Sequence, residues 1–548
     1  MASGINNNLF SYVFELPDYF IKPFEKELVK LQLGTIFPTT EIHNGNVEAK
    51  SDGPIEKNVL KKLAFFDEIL IKSPSLEERI TTDQSLLEKT ATIVRRSKNE
   101  RDISGFMYKV ENIKVNRKES QYLTHSIHPY KGRFYPQMIR ALINFSMVKK
   151  GDVILDPFCG CGTTLLESFL MGINSIGIDL HPLACYIAKT KVDCLSINPL
   201  ELQPFITNFF RKIPREGMLL DSFLDDSSDQ IELPQVPDIP NVDKWFTQDV
   251  LRQIRILLGL IDEIKDGRIK DIANIALSSI LRPVSNWDTR QVRVRLLKKP
   301  RKNVQAFSMF KERLWRIYLT IHTYHELQSR LSLSSDAHVE VLNEDCRKMH
   351  YIDTESVDAV ITSPPYAMAL PYIDTDRLSL FMLGFVNRKS IHNLIESMIG
   401  NREISPPARR RMENEFIGKY GELKLPCELK ELIMTILKDN KTLSEASFRR
   451  KNMAALLYKY FFDMNMCLDE IARVLKNNRY CTIIIGNNFT LTGKKRIINV
   501  KTDEFLKQMM ECKGFQLIKM MTKDLAPTSP PPLSKIRCES VLIFKKGI

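Results

Sequence analysis

The sequence lacks the features of a membrane or secreted protein. No apolar run reaches the roughly 18 residues of a membrane helix, and the first residues lack a basic segment followed by an apolar one. The 10 cysteines are scattered, with no CxxC pair and no His/Cys cluster at zinc spacing. These absences predict a soluble cytoplasmic protein that has no contact with a membrane, no disulfide framework and no metal site.

Two nucleotide-binding patterns are also missing. The sequence has no GxxxxGK[ST] motif, which removes the usual basis for nucleotide hydrolysis, and no GxGxxG motif, which argues against a dinucleotide.

Basic residues are in excess, since 79 Lys and Arg stand against 66 Asp and Glu, a net charge of +13. This excess favours a polyanionic partner such as nucleic acid.

The length and the changing sequence pattern predict several structural units. A chain of 548 residues is about three usual domains long. Strand and helix patterns alternate in three separated stretches, which predicts a doubly wound, Rossmann-like α/β sheet that ends in an antiparallel strand pair. The predicted division is a helical N-terminal region at 1–120, sheet pieces at 121–195, 338–385 and 456–548, and helical basic insertions at 196–337 and 386–455.

The first candidate site is the segment DPFCGCGTT at 156–164, between a predicted strand and a helix. Gly160 and Gly162 would let the backbone approach a ligand closely at the carboxyl end of the strand. Asp179 ends the next predicted strand, where a carboxylate can accept hydrogen bonds from both hydroxyls of a ribose. The order of strand, glycine turn, helix and acid predicts a site for a nucleoside cofactor.

The second candidate site is the segment TSPPY at 362–366, which follows the apolar run SVDAVI. Two prolines cannot continue a central strand, and without their N–H groups the neighbouring carbonyls are left as acceptors. Ser363 adds a hydroxyl, and Tyr366 adds a flat ring on which a base can stack. Two acceptors that hold the N–H bonds of an exocyclic amine can turn its nitrogen into a nucleophile. We therefore interpret this segment as catalytic rather than as a proline-rich docking motif.

Together, the segments DPFCGCGTT, GIDLHPLA, NEDCRKM and SVDAVITSPPY resemble the motifs of S-adenosylmethionine-dependent amino DNA methyltransferases. The Ser-Pro-Pro-Tyr sequence is similar to that of the cytosine-N4 group. The resemblance covers a little under half of the chain. It implies that S-adenosylmethionine is the cofactor and that its site consists of Asp156, Phe158, Gly160, Gly162, Thr163, Asp179 and Asp345.

The resemblance also implies roles for individual residues. Asp179 would bind the ribose, and Asp345 would face the adenine amino group. The catalytic residues would be Ser363, Pro364, Pro365 and Tyr366. The Ser363 hydroxyl and the Pro364 carbonyl would hold the target amine, and the Tyr366 ring would stack on a base that has been turned out of the duplex.

A basic stretch from Asn286 to Arg316 is a candidate nucleic-acid surface. It has Trp287, Phe307, Phe310 and Trp315 interleaved with its cations, an arrangement that can bind phosphates and stack or wedge against bases. The predicted contacts are Arg290, Arg293, Arg295, Lys298, Lys299, Arg301 and Lys302.

The sequence thus predicts a methyltransferase that acts on cytosine N4 in a specific sequence of double-stranded DNA. A restriction-modification or defence role would fit, with a cognate restriction endonuclease or a second copy of the chain as partner. Three alternatives stay open. An adenine-N6 DNA methyltransferase is one, because Ser before Pro-Pro favours cytosine without excluding adenine. The others are an RNA amino methyltransferase and an inactive methyltransferase-like DNA-binding subunit.

Overall fold

The structure is a computed structural model, and every structural statement below refers to the residues that it describes. These are residues 10–43, 46–97, 105–115, 121–214, 234–288, 295–331, 337–367, 372–441, 448–491, 497–525 and 538–547. Within these ranges, no helix combines the length and the apolar character needed to cross a membrane.

Strands and helices are numbered here in chain order. The strands are β1 (Phe10–Glu15), β2 (Thr40–His43), β3 (Asn46–Ser51), β4 (Glu68–Ser73), β5 (Leu76–Thr81), β6 (Val153–Asp156), β7 (Asn174–Ile178), β8 (Val339–Leu342), β9 (Val357–Thr362), β10 (Leu475–Gly486), β11 (Asn488–Leu491), β12 (Ile497–Val500), β13 (Phe515–Asp524) and β14 (Cys538–Lys546). The α-helices are α1 (Pro23–Leu33), α2 (Lys57–Lys61), α3 (Asp83–Arg96), α4 (Phe106–Asn112), α5 (Pro136–Phe145), α6 (Thr163–Met171), α7 (Pro182–Asp193), α8 (Pro199–Lys212), α9 (Val242–Trp245), α10 (Gln248–Asp262), α11 (Gly267–Val284), α12 (Ala306–Leu327), α13 (Tyr372–Met382), α14 (Ser390–Ser397), α15 (Pro406–Gly418), α16 (Cys427–Lys441), α17 (Phe448–Val474) and α18 (Thr502–Glu511).

A seven-stranded sheet of order β13-β14-β10-β9-β6-β7-β8 forms the centre of the molecule. The strands from β10 to β8 in this order are parallel, while β14 and β13 add an antiparallel edge. The chain runs outward from β6 to β7 and β8 and then returns to the other side of β6 as β9. This topology confirms the predicted doubly wound fold, and the strand order reverses between β6 and β9, where open α/β sheets bind their ligands.

Alternating side chains cover the two faces of this sheet. Ile154, Ala359 and Ile484 point to the face that packs against α5 and the N-terminal region. Leu155 and Val360, which follow directly in their strands, point to the opposite face and pack against α17 and α18. Because both faces are covered, the central strands are apolar throughout, and all six residues of β9 are buried.

The prediction of a helical region at 1–120 needs correction. The structure has α1 to α4 there, together with a five-stranded antiparallel sheet of order β2-β3-β1-β4-β5. The segment KNVLKKLAFFDEILIKS, predicted as helical, is divided between α2 and β4. Short apolar runs fit the helical and the strand period equally well, and here alternate burial along β4 marks the strand.

The residues between α7 and β8 form helices α8 to α12, which pack against α6 and α7. A second group of helices, α14 to α16 and the first part of α17, lies between the predicted catalytic segment at 362–366 and β10. Both groups therefore connect directly to strands that end at the predicted site.

Candidate active site

The sequence-predicted site segments meet at the carboxyl edge of the parallel strands. Asp156 ends β6 and Thr362 ends the adjacent β9, while Asp179 directly follows β7. Asp345 comes shortly after β8 at the outer end of the same edge. Since these strands run in the same direction, the residues that follow them lie on one side of the sheet.

Asp156 links the two predicted motifs from a buried position. Its side chain is only 1% exposed. Thr362 Oγ1 donates to Asp156 Oδ1 at 2.6 Å, Thr164 Oγ1 donates to Oδ2 at 2.7 Å, and the Phe158 N–H donates to Oδ1 at 3.2 Å. Burial raises the pKa of Asp156 to about 6, against the effect of these donors. This carboxylate therefore fastens the loop after β6 to the segment after β9.

Asp179 holds the glycine loop from the neighbouring strand. The Gly160 N–H donates to Asp179 Oδ2 and the His181 N–H donates to Oδ1, both at 2.9 Å. Burial raises the pKa of Asp179 to about 6. Each carboxylate oxygen can accept a further hydrogen bond, so this half-buried acid fits the ribose hydroxyls of a nucleoside cofactor.

Glycine at position 162 is also required by helix packing, a reason that the sequence analysis did not give. Gly162 has a φ of +74°, and a Cβ there would lie 2.7 Å from the Cβ of Ala188 on α7. Its absent side chain therefore lets α6 approach α7, and the close approach of a ligand to this backbone stays a prediction. Thr163 then begins α6 and is buried. Helix α6 directs its first N–H groups toward the carboxyl edge, an arrangement that favours polar ligands.

Asp345 is paired with Arg347, which the sequence analysis did not single out. Arg347 Nη2 lies 2.6 Å from Asp345 Oδ2, and Arg347 also bonds Asp463 and the Ser397 carbonyl. Burial acts to raise the pKa of Asp345, but the hydrogen bonds and the charge of Arg347 outweigh it, so the pKa is lowered. Arg347 stands two residues after Asp345, and that proximity was the available sequence signal.

The predicted catalytic segment, TSPPY at 362–366, is held in place from several directions. Ser363, Pro365 and Tyr366 are half-buried, and Pro364 is buried. The Asn488 side chain donates to the Ala367 carbonyl. A Cβ at Gly400, which has a φ of +76°, would lie 2.9 Å from the Cβ of Pro365. Helices α14 and α15 therefore present their connecting loop directly to the catalytic segment.

Tyr366 contacts the antiparallel edge of the sheet. Its hydroxyl donates to Glu539 Oε1 at 2.5 Å, and Glu539 Oε2 accepts from Lys523 Nζ at 2.7 Å. Neither Glu539 nor Lys523 has a local sequence signal, because both are single charged residues in ordinary strand patterns far along the chain. The hydrogen bonds show that β13 and β14 contribute to the site.

A buried polar cluster surrounds Glu167 on α6, the helix that directly follows the predicted cofactor loop at 156–162. Tyr122, His125 and Arg140 all bond the carboxylate of Glu167 on α6, at 2.8, 2.9 and 3.0 Å. Burial lowers the pKa of His125 to about 4, so this imidazole is neutral at pH 7. The part of the chain that the structure describes has no group of His, Cys, Asp and Glu suited to a metal ion.

The predicted nucleic-acid contacts are only partly described. Arg290 and Arg293 lie outside the described residues. Arg301 is half-buried and donates to the Trp287 carbonyl at 3.2 Å. The remaining predicted contacts are exposed: Arg295, Lys298, Lys299 and Lys302.

The interleaved aromatic residues do not form a stacking surface. Trp287, Phe307 and Phe310 are at most 4% exposed, so the prediction that they contact bases is wrong. Phe307 and Phe310 lie on the buried side of α12, whose spacing of apolar residues is that of an amphipathic helix. Trp315 is half-buried and packs against Tyr318.

The sequence is similar to known methyltransferases. The sequence profile of a family described as DNA methylase matches residues 54–190, a range that contains the cofactor loop and Asp179 but ends before Ser363. Type II methyltransferase M.MvaI of Kocuria varians is 22% identical over 482 residues, which cover 85% of this chain and 96% of that protein.

Two further relatives align over shorter lengths. Type II methyltransferase M.MjaII of Methanocaldococcus jannaschii is 26% identical over 338 residues, covering 47% of this chain and 62% of that protein, so less than two thirds of that relative is spanned. A tRNA (guanine(10)-N2)-dimethyltransferase of the same organism is 42% identical over 64 residues, or 12% of this chain. These findings confirm the resemblance to amino DNA methyltransferases and, with it, S-adenosylmethionine as the cofactor.

Proposed function

We propose that this chain transfers the methyl group of S-adenosylmethionine to the N4 amine of cytosine in a specific sequence of double-stranded DNA. The observation that supports this most is the hydrogen bond between Thr362 and Asp156, which brings the cofactor loop and the Ser-Pro-Pro-Tyr segment together where the strand order reverses. The similarity to type II DNA methyltransferases over most of the chain supports DNA as the substrate.

The residues of the site can perform this reaction by binding and orienting the reactants. When bound, S-adenosylmethionine supplies an electrophilic methyl group on a sulfonium. Asp179 would hold the ribose, and the same carboxylate fixes the loop at Gly160. A cytosine turned out of the duplex would place its amine against the Ser363 hydroxyl and the Pro364 carbonyl, with Tyr366 on its ring face.

Positioning would supply much of the acceleration. The amine nitrogen would form a bond to the methyl carbon as the carbon–sulfur bond breaks, with the neutral thioether as the leaving group. The methylated nitrogen would then lose one proton to solvent and become a neutral amine again. The hydrogen-bond acceptors at Ser363 and Pro364 draw electron density of the N–H bonds toward nitrogen as this happens. Holding the nitrogen in line with the breaking bond converts a two-molecule encounter into a reaction within one complex.

The proposed setting is the cytoplasm, in a restriction-modification or defence system, with a cognate endonuclease or a second copy of the chain as partner. Adenine N6 is the second candidate target, because the same acceptors can hold its amine. The short match to a tRNA methyltransferase keeps RNA as a substrate to be tested. An inactive DNA-binding subunit is disfavoured by the complete set of Asp156, Asp179, Asp345 and Ser363.

Transfer of labelled methyl groups to duplex DNA, single-stranded DNA and total RNA, followed by mass spectrometry of the nucleosides, tests the proposal. N4-methylcytosine in duplex DNA is the expected product. N6-methyladenine would move the target base, and label in RNA alone would overturn the substrate class. The Ser363→Ala and Tyr366→Ala variants should lose transfer with the fold retained, while Tyr108→Ala, at a tyrosine that is 72% exposed, should remain active.

A further inference from the structure

A charged pair at the antiparallel edge holds the hydroxyl end of Tyr366. Glu539 stands near the start of β14, and Lys523 faces it from β13 in the strand register. Their side chains are 14% and 16% exposed, and they meet at 2.7 Å. The second oxygen of Glu539 accepts the Tyr366 hydroxyl at 2.5 Å. Lys523 thus neutralises the charge of the Glu539 carboxylate at one oxygen, and the Tyr366 hydroxyl occupies the other oxygen.

Lys523 is itself fixed by a second aromatic residue. Its ammonium lies 5.0 Å from the centre of the Tyr135 ring, a distance at which a cation is attracted to the ring face. Tyr135 stands at the beginning of α5, which packs under the central sheet. The chain of contacts therefore runs from α5 through β13 and β14 to Tyr366, and it joins rigid elements to the catalytic segment.

We propose that Glu539 is a positioning residue that sets the plane of the Tyr366 ring for stacking on the target base. The inference rests on the proposed function. A tyrosine ring attached only at Cβ can turn about two bonds. A hydrogen bond at the hydroxyl fixes the far end of the ring and so restricts rotation about the Cα–Cβ bond. Because a phenolic O–H bond prefers to lie in the plane of its ring, the direction of the same hydrogen bond also orients that plane. An ionised acceptor makes this bond stronger than a neutral one. Because stacking requires a defined ring plane, fixing that plane organises the pocket before the base enters.

A double-mutant cycle on Tyr366→Phe and Glu539→Ala tests this role. Each single substitution removes the hydrogen bond and leaves the ring, so we expect each to slow single-turnover methyl transfer by about tenfold to a hundredfold. Glu539→Ala also removes the ion pair with Lys523 and should therefore be the slower of the two. The double variant should be no slower than Glu539→Ala alone, because Tyr366→Phe then has no hydrogen bond left to remove. Binding of S-adenosylmethionine should stay within about twofold of wild type, because no residue of the pair lies in the cofactor loop. Fluorescence of 2-aminopurine at the target position should report weaker stacking in all three variants.

The matched control is Glu355→Ala, which removes an exposed ion pair with Lys546 at the other end of β14. It should transfer methyl groups at the wild-type rate. Rates in the double variant equal to the product of the two single effects would overturn the positioning role, as would wild-type activity in Glu539→Ala. If the wild-type protein methylates a nucleic acid other than duplex DNA, the same variants are compared on that substrate. A failure of the proposed function is then distinguished from a failure of the positioning role.

A denaturation cycle on the same four proteins needs no substrate. The two substitutions should couple in the midpoint of urea unfolding, because they remove the two ends of one hydrogen bond. Additive shifts would show that Tyr366 and Glu539 do not interact, and the proposal would then be wrong whatever the chain methylates.

Discussion

The Thr362 hydroxyl donates a 2.6 Å hydrogen bond to Asp156 and so joins two parallel strands at the ends that carry the site. Both side chains are buried. Thr362 immediately precedes Ser363, and Asp156 begins the loop that leads to Gly160. A shift of the catalytic segment therefore breaks a contact of the cofactor loop, and the two parts of the site are held in one geometry.

Thr362→Val should lower both stability and activity. Valine keeps the shape of threonine but leaves the buried Asp156 carboxylate one donor short, which costs about 1–3 kcal/mol of unfolding free energy. We also expect weaker S-adenosylmethionine binding, measured by calorimetry, since Asp156 shapes the loop. Thr482→Val is the matched control: this hydroxyl is buried on β10 and has no hydrogen-bond partner among the described residues. Equal losses in the two variants would contradict the role given to Thr362.

Cofactor affinity should fall as the pH drops through about 6. Burial raises the pKa of both Asp156 and Asp179 to about 6. The protonated form of Asp179 accepts hydrogen bonds poorly, so S-adenosylmethionine binds the ionised form. For one such group, the dissociation constant should rise by roughly tenfold between pH 7 and pH 5. Calorimetry across this range measures the effect, and Asp179→Asn should bind weakly with most of the dependence removed.

Stability should change in the opposite direction over the same range. The folded pKa values near 6 lie above the ordinary Asp value of 3.8. The folded chain therefore takes up these protons at a higher pH than the unfolded chain, and the contribution of the two groups to the unfolding free energy rises as the pH falls from 6 toward 4. If the affinity and the unfolding free energy both fell at pH 5, the loss of affinity would reflect acid unfolding of the chain rather than protonation of Asp179.

The local sequence pattern was sufficient to predict the position of candidate site residues that lie at strand ends. Asp156, Asp179 and Ser363 each follow an apolar strand, and a parallel sheet brings such positions to one edge whatever the chain does between them. Glu539 could not be found in this way, because it reaches Tyr366 from 173 residues away through an antiparallel pairing that fixes it only in three dimensions.

For the aromatic residues of the basic stretch, the local sequence pattern led to a wrong prediction. Phe307 and Phe310 were assigned to nucleic acid because cations surround them in the sequence. In α12 Phe307 and Phe310 lie on the buried side, and only the helical period distinguishes that arrangement from a mixed surface. The N-terminal sheet was missed for a related reason, since strands of four to six residues carry too few positions to define a period.

Gly400→Ala should slow methyl transfer with little effect on cofactor binding. A Cβ at this position would press on Pro365 at 2.9 Å, so either the catalytic segment or the loop that carries Gly400 must move, and the contact between them changes. Small errors in the position of reacting groups strongly reduce the reaction rate, so we expect at least about a tenfold loss in the single-turnover rate. Gly384→Ala is the control, because Gly384 has a similar φ of +73° but no atom within 4 Å of the added carbon. Both variants should lose stability through backbone strain, and only Gly400→Ala should lose rate.

Neutralising the exposed cations that precede α12 should weaken DNA binding and reduce its salt dependence. Arg295, Lys298 and Lys299 are exposed, and each phosphate contact that they make releases counterions. Changing all three to Gln should lower the slope of log affinity against log salt by up to about 2.7, at about 0.9 for each lost contact. The slope is measured by fluorescence anisotropy over a salt series.

The control for this prediction carries the same change of charge at a distant surface. Lys50, Lys57 and Lys72 are exposed on or beside the N-terminal sheet, and their change to Gln should leave the slope near the wild-type value. An equal decrease in both sets would mean that DNA responds to the net charge of the chain rather than to this segment. A wild-type slope in the Arg295, Lys298 and Lys299 variant would remove the segment from the DNA interface, and the cations of α15, Arg410 and Arg411, would be the next to test because they are exposed on the helix that follows Gly400.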